Sequence, residues 1–157
     1  MHDSDDCGTR RNVLYVEDNE VNAELMAAIF ASRPDLILRL ASTCATALHS
    51  ARAEPPDLLL LDLRLPDGHG ATLLSHLRAL PGLSAVSAIA VTAEDLADLG
   101  LRGFDDLWPK PLRVLQVLRA LEAWLPRQHN PSQAARLLTD VPGGRLGRGP
   151  SAACTMG

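Results

Sequence analysis

At 157 residues, 46% of them apolar but only 3% aromatic, the chain has room for one domain whose core must be built from Leu, Ala, Val and Ile. A net charge of −4 with no basic stripe argues against a nucleic-acid binder. No apolar run approaches the ~20 residues that cross a bilayer, and Cys7, Cys44 and Cys154 lack the spacing of a disulfide framework or a zinc site, so reduced thiols in a cytoplasmic protein are expected.

The two ends differ from the middle. Residues 1–11 are polar and acidic, with Asp3, Asp5 and Asp6, and carry no secretory signal. Residues 126–157 contain Pro142-Gly143-Gly144, Gly147-Arg148-Gly149-Pro150 and the arginines 127, 136, 145 and 148. Neither segment can bury enough apolar surface to offset the entropy of ordering. Both are expected to be largely disordered, apart from a short helix over 131–138 with no core to support it. The domain then spans 12–125.

In chain order, Val13 to Val16 is a strand ending in the acids Glu17 and Asp18. Asn19 to Ala31 is a helix with Val21, Leu25, Ala28 and Ile29 at helical spacing. Leu36 to Leu40 is a second strand. Ser42 or Thr43 can cap a helix running to Ala51, which Pro55-Pro56 closes off. The tract Leu58-Leu59-Leu60-Leu61 suits a strand buried on both faces. A Pro-Gly turn leads to a helix from Gly70 to Leu80, stopped by Pro81-Gly82. Ala88 to Val91 is a fourth strand, Glu94 to Leu101 a short helix, Asp106 to Trp108 a fifth strand, and Val114 to Leu125 a final helix with Leu115, Leu118 and Leu121 on one face. Strand and helix alternate five times, which predicts an α/β fold with a parallel sheet covered by helices on both faces.

No glycine-rich phosphate loop follows the first strand. Polar groups stand instead where strands end, the edge at which open parallel sheets bind ligands. Glu17 and Asp18 close the first strand, Asp62 the third and Thr92 the fourth, and Lys110 follows the fifth. Three carboxylates brought together repel unless a cation neutralises them. A hard divalent ion fits oxygen ligands, and Mg²⁺ fits best because it takes few protein ligands and keeps waters that a phosphate can replace. A threonine hydroxyl and a lysine ammonium beside such a cluster suit a phosphoryl group. Taken singly, Thr92 reads as a strand-end cap and Lys110 as a surface lysine; only the ensemble gives them roles. The five histidines show no ligand spacing and read as surface or loop residues, and Trp108 and Trp124 as packing residues.

Four motifs, in order, carry a resemblance. Val13-Leu14-Tyr15-Val16-Glu17-Asp18-Asn19, Asp62-Leu63-Arg64-Leu65-Pro66-Asp67-Gly68-His69-Gly70, Val91-Thr92-Ala93 and Lys110-Pro111 together resemble the response-regulator receiver family of two-component signalling over 12–125. Gly103-Phe104-Asp105-Asp106, with Asn19 and Asn22, is similar to receivers attached to hybrid sensor kinases. The resemblance implies a doubly wound five-stranded parallel sheet of flavodoxin-like type with strand order 2-1-3-4-5. It implies that Asp62 takes a phosphoryl group from the phosphohistidine of a sensor histidine kinase or a histidine phosphotransfer protein. Asp18, Asp62 and the backbone carbonyl of Arg64 would hold Mg²⁺, Glu17 acting through water; Thr92 and Lys110 would contact the phosphoryl oxygens, Ala93 leaving room; and the Lys110–Pro111 bond would be cis. Such a protein is a signalling phosphoacceptor rather than an enzyme on other substrates.

Two features depart from that pattern. Leu107 stands where receivers usually carry Tyr or Phe, three residues before the lysine. The interval from Thr92 to Lys110 is about four residues short, roughly one helical turn. Both fall on the face receivers use for output, so phosphorylation is expected to be kept and read out differently. With no DNA-binding helix-turn-helix after Leu125, output is expected through protein contact or phosphorelay, without DNA or membrane, and a homodimer is one open outcome. Two other classes compete: a phosphorylation-independent interaction module, against which the intact Asp62, Thr92 and Lys110 speak, and an aspartyl phosphohydrolase, which would want Asp where Arg64 stands.

Overall fold

A computed structural model of the chain describes residues 10–94 and 103–127. The expected arm up to residue 9, the short helix past Glu94 and the tail beyond 127, with its helix over 131–138, lie outside the described residues. The chain divides into two units, Met1–Ala123 and Trp124–Gly157, and the sheet lies in the first.

Five strands form one parallel sheet: β1 (Arg11–Val16), β2 (Leu36–Ala41), β3 (Leu58–Leu61), β4 (Ser87–Thr92) and β5 (Asp106–Pro109), in the spatial order β2-β1-β3-β4-β5. This is the expected flavodoxin-like order. Strand β1 begins at Arg11, paired with Leu36, inside the stretch expected to be disordered. Helices α1 (Glu20–Phe30), α2 (Cys44–Ala53) and α3 (Gly70–Arg78) fill the first three crossovers, and α4 (Val114–Trp124) follows β5. A two-residue ladder, Arg64–Leu65 with Gly68–His69, sits between β3 and α3.

Side chains alternate across a strand, and the core divides accordingly. Leu14, Val16, Leu59, Leu61 and Ala88 share one cluster with Ala47 and Ala51 of α2 and Leu73, Leu74 and Leu77 of α3. The alternate positions, Val13, Tyr15, Leu58, Leu60, Ile89 and Val91, are equally buried and belong to the opposite face, where α1 contributes Met26, Ile29 and Phe30 and α4 contributes Val117 and Leu121. Each leucine of β3 contributes roughly 1.5–3 kcal/mol by burial. Arg33, 1% exposed, grips Asp35 through two hydrogen bonds of 2.8 and 2.7 Å and lies 3.6 Å from Glu122, joining the end of α1 to α4.

Two helix faces differ from expectation. Val21 is 72% exposed and Ala28 is exposed, while Met26, Ile29 and Phe30 are buried. Leu115 is 67% exposed, whereas Val117 and Leu121 carry the contact of α4. Both helices have apolar residues nearly all round, so spacing alone admits more than one face; the sheet selects the residues away from the helix N-terminus.

Helix starts follow local chemistry. Asn19 caps α1, its side chain accepting from the N–H of Val21 and Asn22, and Thr43 forms a reciprocal capping box with Thr46 at α2. His69 caps α3 by accepting from Ala71 N–H, a role beyond the surface position expected of it. Gly82 has φ +85 in the turn after α3, a backbone conformation that favours glycine. Below the leucine tract, Asn12 and Asp57 clasp each other: Asp57 N–H donates to the Asn12 carbonyl at 2.8 Å, and Asn12 N–H to Asp57 Oδ2 at 2.7 Å.

Candidate functional site

Strand register brings the predicted residues together. Val16 pairs with Leu61 and Leu61 with Ala90, so Glu17, Asp62 and Val91 stand level at the carboxyl edge, with Thr92 one residue beyond. Thr92 pairs with Pro109, and Lys110 follows, its N–H donating to the Thr92 carbonyl at 2.9 Å. Asp62 N–H closes the ladder on the Val16 carbonyl at 3.0 Å. The Lys110–Pro111 bond is cis, as expected.

The Lys110 ammonium joins two carboxylates, at 2.6 Å from Glu17 Oε1 and 2.9 Å from Asp62 Oδ2. Glu17 and Asp62 are 4% and 6% exposed; Asp18 is exposed. One carboxylate oxygen from each of Glu17, Asp18 and Asp62 lies within 4.8 Å of the others. Three carboxylates and one ammonium leave a formal charge of −2 among these groups, the charge a divalent cation cancels. The donors are all hard oxygens, a set that fits Mg²⁺ rather than a softer metal.

The electrostatics divide the two buried acids. Burial raises the Asp62 carboxyl above the usual range; Lys110 opposes this, and the neighbouring Glu17 pushes it further up. Burial acts on Glu17 in the same sense, but hydrogen bonds from Lys110, Asn19 and Tyr15 outweigh it and hold Glu17 below the ordinary value. For Lys110, burial favours the neutral amine, and the two carboxylates overcome that and keep the ammonium.

A cavity of about 300 Å³ opens on Asp62, lined by Arg64, Thr92, Ala93, Glu94 and Lys110. Thr92, 2% exposed, accepts from Glu94 N–H at 3.1 Å through its hydroxyl oxygen. A hydroxyl has one donor besides its lone pairs, so its proton is left for an anion in the cavity. Arg64 Nε donates to Glu94 Oε1 at 2.6 Å, an ion pair across the cavity between the loop after β3 and the loop after β4. The Arg64 N–H donates to Asp62 Oδ1 at 3.2 Å.

The loop that carries Arg64 is anchored twice. Gly70 N–H donates to the Leu63 carbonyl at 2.8 Å. Asp67 accepts from the first two N–H groups of α2, Cys44 at 2.7 Å and Ala45 at 3.1 Å. These bonds, the one to Cys44 foremost, hold the Asp67 carboxyl below its usual range. Cys44 itself is half-buried, and burial together with Asp67 pushes its thiol up to about 11.

The structure therefore gathers Glu17, Asp18, Asp62, Thr92 and Lys110 at one edge and sets Arg64 at the cavity rim. Sequence reasoning passed over Tyr15, whose hydroxyl donates to Glu17 Oε1 at 2.9 Å, and Glu94 and Asp67. The signal for Tyr15 was present: a tyrosine in an aliphatic strand two residues before an acid shares its face.

Comparison with known proteins agrees with this arrangement. Residues 13–121 match the family model described as the response regulator receiver domain. The chain is 29% identical over 119 residues to the polar-differentiation response regulator DivK of Brucella ovis, covering 73% of this chain and 96% of that protein. It superposes with a TM-score of 0.65 and 30% identity on the receiver domain of sensor histidine kinase PA1611 from Pseudomonas aeruginosa, across 75% of this chain and 99% of that one, a crystal structure with a magnesium ion coordinated in the active site cleft. A CheY-like response regulator receiver domain from Methylobacillus flagellatus matches with a TM-score of 0.66 and 27% identity over 73% of this chain and 98% of that one.

Proposed function

This chain belongs to the response regulator receiver family, and from that premise we propose that it takes a phosphoryl group from a phosphohistidine onto Asp62 in a Mg²⁺-dependent reaction. The observation that carries the reading is the Lys110 ammonium bridging Glu17 and Asp62 at 2.6 and 2.9 Å beside a cavity that also holds the Thr92 hydroxyl.

An oxygen of Asp62 forms the bond to phosphorus as the phosphorus–nitrogen bond to the donor imidazole breaks. The imidazole leaves with the electron pair and takes a proton, and Asp62 becomes an acyl phosphate. Lys110 neutralises charge on the transferring oxygens, the Thr92 hydroxyl donates to one of them, and Ala93 leaves space. Asp18, Asp62 and the Arg64 carbonyl would hold Mg²⁺, with Glu17 acting through a water; the ion supplies charge neutralisation of the phosphoryl oxygens. The partners are a sensor histidine kinase or a histidine phosphotransfer protein, and the product acts by protein contact or by relay. Incubation with acetyl phosphate and Mg²⁺ should add one phosphoryl group, mapped to Asp62 by mass spectrometry. Absence of label in the presence of Mg²⁺ would favour a phosphorylation-independent interaction module; rapid turnover of phosphomonoesters would favour a hydrolase.

The output step departs from the common pattern in this proposal. Leu107 is half-buried, and Trp108 beside it is 7% exposed, as alternation along β5 requires. Neither is an aromatic side chain at the position that usually turns inward. Beryllofluoride with Mg²⁺ is expected to shift the amide resonances of Asp62, Thr92 and Lys110 while leaving those of 103–108 nearly still. Shifts across 103–108 as large as those at Thr92 and Lys110 would contradict this.

A further inference from the structure

The Glu17 carboxylate is held from several sides. Its Oε1 accepts from Tyr15 Oη at 2.9 Å and Asn22 Nδ2 at 3.3 Å and faces Lys110 Nζ at 2.6 Å. Its Oε2 accepts from Asn19 N–H at 3.2 Å. Tyr15 is fully buried near the carboxyl end of β1, and Glu17 Oε1 is the hydrogen-bond acceptor the structure gives its hydroxyl. A buried hydroxyl without a partner is costly, and so is a buried carboxylate; each answers the other.

The competition for Lys110 gives the pair a further consequence. One ammonium serves both Glu17 and Asp62, and any negative charge on Glu17 Oε1 left unmatched by other donors draws Lys110 away from Asp62. Donation by the Tyr15 hydroxyl spreads that charge and fixes how the carboxylate is rotated. We infer that Tyr15 is a positioning residue of the phosphoryl site, its buried hydroxyl orienting Glu17 so that Lys110 remains shared with Asp62 and Glu17 faces the cation cluster. Tyr15 touches neither phosphorus nor metal and acts through Glu17. The inference rests on the phosphoacceptor reading of Asp62.

Two variants separate the hydroxyl from the ring. Tyr15→Phe keeps the packing and loses the donor, while Tyr15→Leu loses both. Mg²⁺ affinity by calorimetry and the labelling rate with acetyl phosphate at saturating Mg²⁺ are the readouts, with Tm of the metal-free protein alongside. A hydrogen bond to a charged group is strong enough for roughly a tenfold loss, so Tyr15→Phe should weaken Mg²⁺ binding and slow labelling by about that factor. Tyr15→Leu should match it in both readouts while melting well below it. Values for Tyr15→Phe within about twofold of wild type would overturn the inference, as would losses that follow Tm across the two variants. If wild type is not labelled at all, the phosphoacceptor reading fails instead, and the Mg²⁺ affinities still decide whether Tyr15 orients Glu17.

Discussion

Replacing Asp62 with Asn should abolish phosphoryl labelling and, in metal-free buffer at neutral pH, raise the melting temperature. The first effect follows from removing the oxygen proposed as the nucleophile. The second follows from crowding: Asp62 lies 6% exposed beside Glu17, and among the described residues one ammonium, that of Lys110, serves both. Burial and the Glu17 charge raise the Asp62 pKa in the folded protein. A carboxyl raised in this way binds its proton more readily folded than unfolded, so its favourable contribution is complete below the unfolded value and is lost as pH rises through the folded one. The gap in Tm between Asp62→Asn and wild type should therefore be small in acid and open as pH rises to neutrality. Each ~1 kcal/mol shifts a domain of this size by roughly 4 °C, which calorimetric scans at three pH values resolve. Mg²⁺ should close the gap, because binding to the folded state stabilises wild type more than a variant lacking one of the proposed ligands. A lower Tm for the variant at neutral pH without metal would contradict the crowding account.

The second large effect is expected from Gly70→Ala. A Cβ at Gly70 would lie 2.4 Å from the Asp62 carbonyl oxygen, 3.0 Å from Leu63 Cα and 3.1 Å from the Asp62 carbonyl carbon. All three are backbone atoms at the end of β3, so no rotamer change relieves the clash. Either the first turn of α3 retreats, breaking the Gly70–Leu63 hydrogen bond, or the peptide carrying Asp62 moves. Overpacking of this kind costs about 1–3 kcal/mol and sometimes more, and the gain in helix propensity, at most ~1 kcal/mol, does not offset it. Denaturant melts should show the loss, and labelling of the folded fraction should slow, since the strained peptide belongs to the proposed phosphoacceptor. Gly68→Ala is the contrast: its Cβ would meet Cys44 Sγ at 3.2 Å, a side chain that can give way. Equal effects from the two substitutions would show that close approach to the Asp62 backbone is not the cause.

Most of the architecture was legible because its signals are local. Strand and helix alternation, the leucine tract and Pro81-Gly82 set the elements to within a few residues, and the acids, Thr92 and Lys110 stood at strand ends where a parallel sheet collects them. What escaped was relational. The inward faces of α1 and α4 depend on how each helix rolls on the sheet, and apolar residues surrounding both helices hid the answer. The Arg64–Glu94 pair spans 30 positions and the Asp67–Cys44 bond 23, so neither leaves a periodic trace. Tyr15 was hidden differently: a tyrosine in a core strand reads as packing until its hydroxyl is seen to meet Glu17.

The four leucines of β3 are interchangeable, and that has a consequence for where alignment is decided. Sliding the tract by one position would bury the same kind of side chain on both faces, so hydrophobicity cannot choose among registers, although one step turns every side chain over. The choice falls to the polar residues that bracket the tract. A slip would move Asp57 or Asp62 into one of the buried positions the leucines hold and undo the reciprocal Asn12–Asp57 clasp at the opposite margin of the sheet. The placement of the Asp62 carboxylate is thus proof-read from a distance, by a pair of residues that stands apart from the site.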